Sequence, residues 1–151
     1  MRFLSEKIMM ANNYELNREN IELLFESFSN KDIEKVMSVF DNDSIFIDAH
    51  YPEKEMIGAH SIRRGLSWSI NNMSSMKFTI LNLWISEDKA SVEVFAEHKL
   101  KIGLKLDFKE VFIIEIKNQK IKRFEAFLPY PPFGFVNFAS KLIWKIFKPK
   151  I

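Results

Sequence analysis

The sequence predicts one α+β domain with a mostly antiparallel sheet. Three observations indicate this fold class. Two segments with helical spacing of apolar residues lie near the N-terminus, a third such segment lies in the middle of the chain, and four segments typical of strands follow it. Helices that precede a run of strands are typical of α+β domains. The chain has 151 residues, which is enough for a single hydrophobic core.

Two consecutive helices begin the domain. Apolar residues spaced three and four apart predict a first helix at 18–29, with Asn17 as N-cap: Ile21, Leu24, Phe25 and Phe28. The same spacing predicts a second helix at 31–40: Ile33, Val36, Met37 and Phe40. Ser29 with Asp32 three residues later resembles a capping box at the start of the second helix.

A short strand and a third helix follow. We place the strand at 44–47, directly before Asp48, and expect another short strand at 54–57 inside the loop between Pro52 and Gly58. The third helix is predicted at 61–73, with Ser61 near its N-cap and Gly65 weakening it. Its apolar stripe needs a surface to cover: Ile62, Leu66, Ile70 and Met73.

The remainder of the domain is predicted as a meander of four strands, at 78–85, 90–100, 106–116 and 120–127. Their turns fall at 87–89, near Gly103 and at 118–119. On two of these strands, the alternate residues that face away from the predicted core are too apolar to remain exposed to solvent. This predicts a two-fold homodimer through the outer face of the sheet, formed by these residues: Thr79, Leu81, Leu83, Ile85, Val111 and Ile113.

Composition excludes several classes of function. The net charge is +2, which gives no reason to expect nucleic-acid binding, and the absence of Cys removes thiol nucleophiles and iron–sulfur clusters. The three His form no metal-binding motif and the four Gly form no phosphate-binding loop, so we expect neither a metal nor a cofactor. No segment resembles a membrane span or a signal peptide, which predicts a cytoplasmic protein.

Three polar residues lie where a core is expected. Asp48 ends an apolar strand, and Glu110 shares one strand face with Phe108, Phe112 and Ile114. A carboxyl on such a face is desolvated, which raises its pKa and suits it to donate a hydrogen bond or to act as an acid. His98 follows the phase of apolar residues on its own strand. The alternative for each is a structural role, with Glu110 at a sheet edge or paired with a basic group.

The order of elements resembles the NTF2-like α+β cone, and within it the SnoaL-like and ketosteroid isomerase branch. The resemblance covers about 20–130 and is carried by these stretches: 31–34, 40–48, 58–62, 110–112 and 119–127. It implies a curved sheet around the third helix and a cavity for a small apolar molecule. It also implies Asp48 as a general base and Glu110 as a protonated acid in an oxyanion hole. Leu24 stands where the isomerases keep an oxyanion-hole Tyr, which argues against steroid isomerisation.

Two function classes follow from the resemblance. One is an isomerase, dehydratase or cyclase with Asp48 as base and Glu110 or His98 as hydrogen-bond donor. The other is a non-catalytic module that binds a ligand or a protein partner. We divide the chain into a lead-in at 1–16, the domain at 17–130 and a basic amphipathic helical extension at 131–151. For the extension we favour packing over the domain, with peripheral contact to an anionic membrane as the alternative.

Overall fold

The computed structural model describes residues 15–128. The elements follow the predicted order. They are α1 (Arg18–Ser29), α2 (Ile33–Met37), β1 (Ile45–Ile47), β2 (Glu55–Ile57), α3 (Gly58–Asn72), β3 (Met73–Ser86), β4 (Lys89–Leu100), β5 (Lys105–Lys117) and β6 (Lys120–Phe127). The predicted lead-in up to residue 14, and the predicted extension at 131–151, lie outside the described residues.

The six strands form one curved, open sheet in the order β2-β1-β6-β5-β4-β3. All neighbouring pairs are antiparallel except β1 and β6, which run parallel with Phe46 opposite Phe124. The turn between β5 and β6 has positive φ at both Asn118 and Gln119, as a two-residue hairpin loop requires. The predicted α+β class with a mostly antiparallel sheet is confirmed.

The core lies between the inner face of the sheet and the helices. α1 packs against β3, and α3 packs against β1, β2 and β3. Ile62 and Leu66 of α3 are buried, as the predicted stripe required. Gly65 lets α3 approach β2 closely, because a Cβ at this position would lie 2.1 Å from the Met56 Sδ.

The boundaries of α2 and α3 differ from prediction at both ends. Asp32, rather than Ser29, caps α2 by accepting a hydrogen bond from the Lys35 N–H, and α2 ends at Met37. The Ser29 hydroxyl instead donates to the Phe25 carbonyl within α1. α3 begins at Gly58 and ends at Asn72, since Met73 already has extended backbone and starts β3.

A register shift in β3 corrects the predicted outer face. The pairing of β3 with β4 shifts between Ile80 and Asn82. Beyond this bulge Leu83 lies opposite the buried Val92 and packs against the core, whereas Trp84 lies on the outer face and is 57% exposed. Ile85 has the same phase as Leu83 and lies opposite the buried Ala90. The prediction that Leu83 and Ile85 face outward is therefore wrong, because the extra residue of a bulge reverses which alternate side chains face the core.

No helix within residues 15–128 has both the length and the apolar character that a membrane span needs.

Candidate functional site

A cavity of about 360 Å³ opens between the inner face of the sheet and α3. Its wall is mainly aromatic and includes Phe25, Phe28, Phe78, Phe108, Phe112 and Phe124. All three residues singled out from the sequence, Asp48, His98 and Glu110, line it. The structure therefore brings the three polar groups to one apolar space, while their roles there remain predictions.

Asp48 is held at the end of β1 by the loop that follows. Its backbone N–H donates to the Lys54 carbonyl at 2.9 Å. Its Oδ1 accepts the His50 backbone N–H at 2.8 Å and lies 3.0 Å from the His50 Nδ1. This Asx-turn fixes the carboxylate against the imidazole ring. The second carboxylate oxygen, Oδ2, makes no hydrogen bond within residues 15–128.

His50 is a site residue that the sequence analysis missed. The hydrogen bond that the His50 imidazole donates to the Asp48 carboxylate raises the pKa of His50 above its usual value, and burial partly opposes this effect. Because Nδ1 faces Asp48, Nε2 is the ring nitrogen left for a ligand. The available signal was the spacing of Asp48 and His50, two residues apart directly after a strand, which is typical of an Asx-turn.

Glu110 lies on the inward face of β5, opposite Val94 of β4. Its side chain is buried, and the phase predicted from the sequence is confirmed. Burial, with a smaller contribution from the negative charge of Asp48, raises the pKa of Glu110 to about 8. The carboxyl is therefore mainly neutral at pH 7 and presents an O–H donor to the cavity.

His98 lies on the cavity wall between two aromatic rings. Its ring centroid lies 5.0 Å from that of Phe78 and 5.4 Å from that of Phe108, both with edge-to-face geometry. The Nδ1 atom is buried and has no hydrogen-bond partner in the described part of the chain. Burial lowers the pKa of His98, so the imidazole is neutral at pH 7.

Tyr51 is a second residue that the sequence analysis missed. Its ring lies 5.5 Å from Phe46 and 6.0 Å from Trp68, measured between centroids, and forms part of the cavity wall. Burial raises the pKa of the phenol, although a hydrogen bond with Ser69 acts in the opposite direction. Tyr51 thus places a protonated phenol on the cavity wall, whereas Leu24 of α1 lies in the apolar core. No sequence pattern marked this loop residue.

The site combines two carboxyls with different surroundings within one apolar wall. Asp48 is paired with a basic group, whereas Glu110 is desolvated and neutral at pH 7. Two carboxyls whose surroundings differ in this way can serve as the base and the acid of one reaction. Among residues 15–128 no group of three or more His, Asp and Glu side chains is arranged to hold a metal ion.

Several solved structures have a similar fold. TerC, crystallised with polyporic acid, is 18% identical with a TM-score of 0.64, over 80% of this chain and 92% of TerC. A ketosteroid isomerase-like protein from Catenulispora acidiphila, in complex with trimethylamine, is 12% identical with a TM-score of 0.64, over 71% of this chain and 82% of that one. An LEH-like epoxide hydrolase from M. tuberculosis is 12% identical with a TM-score of 0.64, over 85% and 93%.

At these identities the likeness shows a shared fold and no more. No curated protein matches the chain. The sequence model of the SnoaL-like domain, however, matches residues 21–124, which run from α1 to β6. The resemblance inferred from the order of elements is thereby confirmed: the chain belongs to the SnoaL-like domain family and has the NTF2-like fold.

Proposed function

We propose that this domain binds a small, mostly apolar molecule in its cavity and catalyses the removal and return of a proton on that molecule. The observation that carries the proposal is the presence of Asp48 and Glu110 on the wall of one apolar cavity. General acid–base catalysis requires an ionised and a protonated group around one ligand, with pKa values near the working pH. Isomerisation, dehydration and cyclisation are the reaction classes that such a pair can serve.

Asp48 is the base in this proposal. Its Oδ1 is engaged by His50, so the free oxygen, Oδ2, accepts the proton from the ligand. His50 is a positioning residue, because its ring and backbone N–H hold the carboxylate in one orientation. A protonated His50 also offsets the negative charge of Asp48, which keeps that charge tolerable beside Glu110.

Glu110 is the hydrogen-bond donor. A neutral carboxyl in an apolar wall can donate to a carbonyl or hydroxyl oxygen of the ligand, and this bond strengthens as negative charge develops on the oxygen. The phenol of Tyr51 and the imidazole of His98 lie on the same wall and supply further polar contacts. The ligand class that this wall favours is an aromatic or alicyclic ring with one or two oxygen functions.

The proposal is tested by proton exchange on a simple ring ketone. 2-Tetralone carries exchangeable protons next to its carbonyl, and their replacement by deuterium in D₂O is followed by NMR. The wild-type protein is expected to accelerate this exchange. Asp48→Asn is expected to lower the accelerated rate by about 10²–10⁴-fold, since a general base contributes that much.

The control measures ketone binding through quenching of tryptophan fluorescence, because Trp68 lines the cavity. Asp48→Asn should bind the ketone nearly as well as the wild type, and His50→Gln should retain more exchange activity than Asp48→Asn. Unchanged exchange in Asp48→Asn would remove the proposed base. Binding without any acceleration by the wild type would favour the non-catalytic alternative.

We also propose that the domain forms a homodimer through the outer face of its sheet. Apolar side chains exposed on this face support the proposal: Leu81, Trp84 and Phe127, with the half-buried Val111 and Ile113 beside them. Trp84→Glu is expected to convert the dimer into a monomer, because it places a charge in the buried interface. Sedimentation at micromolar concentration measures this, and a monomeric wild type would contradict the proposal.

A further inference from the structure

We propose that the tip of the β4–β5 hairpin, residues 99–105, docks on an anionic membrane surface and brings the cavity mouth against the bilayer. This hairpin tip is distinct from the acid–base groups, and the inference does not depend on the proposed chemistry. It rests on three properties of the tip: its exposed apolar side chains, its unpaired positive charge, and its position beside the opening of the cavity.

The tip presents large apolar side chains to solvent. Ile102 is 85% exposed and Leu104 is 46% exposed. Gly103 turns the chain between them with φ of +90°, and no atom of the described chain lies within 4 Å of a Cβ built there. The tip therefore projects from the domain. Because Ile102 at its apex stays exposed, its side chain contributes almost no buried apolar area to the stability of the fold.

The same seven residues carry three lysines and no acid. Lys99 and Lys105 lie directly opposite each other in the ladder. Like charges in this arrangement repel and destabilise a hairpin. Lys99, Lys101 and Lys105 form no ion pair within residues 15–128, although Lys77, Lys89 and Lys109 of the same sheet each do.

Acidic groups begin only below the tip, at Glu97 and Asp107, which also lie opposite each other. Glu97 already pairs with Lys77 at 2.6 Å. The positive charges thus lie at the apex, and the nearest acids lie one step further from it along the strands. Positive charge concentrated at the apex, with acids further back, complements an anionic surface that the apex approaches first.

The tip adjoins the cavity where lining residues are partly exposed to solvent, and this is where we place the mouth of the cavity. Leu100 within the tip and Leu106 directly after it are half-buried, and both line the cavity. The Lys101 N–H donates to the Asn72 carbonyl at the end of α3, at 2.9 Å. One turn earlier on α3, Trp68 lines the cavity and is 46% exposed.

A bilayer is the occupant that uses all of these features together. Lysines face lipid phosphates, isoleucine and leucine enter the boundary of the acyl chains, and tryptophan favours the level of the head groups. A soluble anion would use the lysines and leave Ile102 and Leu104 in water. A cavity that opens at such a surface can exchange an apolar ligand with the membrane without carrying it through water.

The test is co-sedimentation of the full chain with phosphatidylcholine vesicles, with and without phosphatidylglycerol. Binding is expected only to the anionic vesicles and should weaken as salt is added. Lys99→Gln/Lys105→Gln should lower the partition coefficient by about 30-fold, and Ile102→Ser by about tenfold. The matched control is Lys89→Gln/Lys117→Gln, which removes the same charge at the other ends of β4 and β5 and should bind as the wild type does.

Four results would overturn the proposal. If the wild-type protein does not sediment with anionic vesicles, the tip does not bind membranes, and a protein partner becomes its expected occupant. Normal binding by Lys99→Gln/Lys105→Gln would exclude the tip, as would binding that is lost only when residues 129–151 are deleted. Normal binding by Ile102→Ser would reduce the contact to charge alone. Circular dichroism of each variant shows that the fold is intact, so that lost binding is not lost structure.

Discussion

The two halves of the β4–β5 ladder differ in what they bury. In the half remote from the cavity mouth, Ala90 lies opposite Ile114 and Val92 opposite Phe112, and all four are buried. In the mouth half, the same inward face carries Glu110 and His98, which are also buried. The strands, their pairing and their phase are shared, so the difference lies in side-chain chemistry alone.

This contrast separates stability from function within one hairpin. Apolar side chains in the remote half gain free energy from burial. The mouth half buries a carboxyl and an imidazole, and their desolvation costs free energy. For the His98 Nδ1, no hydrogen bond within residues 15–128 offsets this cost. Groups of this kind persist where function requires them.

Truncation in the remote half should be strongly destabilising. Ile114 is fully buried in the core cluster and does not line the cavity. Ile114→Ala is expected to lower the free energy of unfolding by about 2–5 kcal/mol, because it removes buried methyl groups and leaves a void. Urea unfolding measures this change. A loss well under 1 kcal/mol would mean that the remote half does not carry the stability assigned to it.

In the mouth half, Glu110 should make stability fall as pH rises. Its pKa is about 8 in the folded protein and near 4.5 when unfolded, so the folded state binds more protons between these values. The free energy of unfolding should decline across this window by on the order of 4–5 kcal/mol, since each unit of pKa difference corresponds to about 1.4 kcal/mol. Glu110→Gln should lack the decline and exceed the wild type in stability at pH 9. Parallel pH profiles for the two proteins would contradict the buried neutral carboxyl.

The smallest effect is expected at His98, with the opposite sign from Ile114. His98→Leu removes a buried nitrogen that has no partner in the described chain, and it should stabilise the fold by about 1 kcal/mol. Ligand affinity should fall in the same variant. Thermal unfolding, with fluorescence binding to the ring ketone, measures both. A destabilisation would show that His98 has a structural partner and would erase the contrast at this position.

The sequence was most informative where one periodic pattern governs a long element. The alternation of β5 placed Glu110 on the inner face, and Asn17 was identified as the cap that accepts a hydrogen bond from Asn20. The bulge near Leu81 escaped prediction, because a register shift depends on the pairing with β4 rather than on residue type. One inserted residue then turned Leu83 inward and Trp84 outward.

The site was predicted only in part for a related reason. Asp48 and Glu110 were found because they interrupt apolar strands. His50 and Tyr51 lie in the loop after β1, where no periodicity marks the inward side. Their positions depend on the Asx-turn at Asp48 and on packing of Tyr51 against Trp68, which are contacts that form only when the chain is folded.

The parallel pairing of β1 with β6 has a consequence for the newly made chain. The buried Ser44 hydroxyl, next to β1, donates to the Ile121 carbonyl, 77 residues further along. At a synthesis rate of ~5–20 residues per second, about 4–15 s pass between the emergence of these two partners. During that interval β1 and β2 have no neighbouring strand on the β6 side, and their edge is open to other chains. A ribosome-bound chain that stops before β6 should therefore engage chaperones, and one extended through β6 should release them.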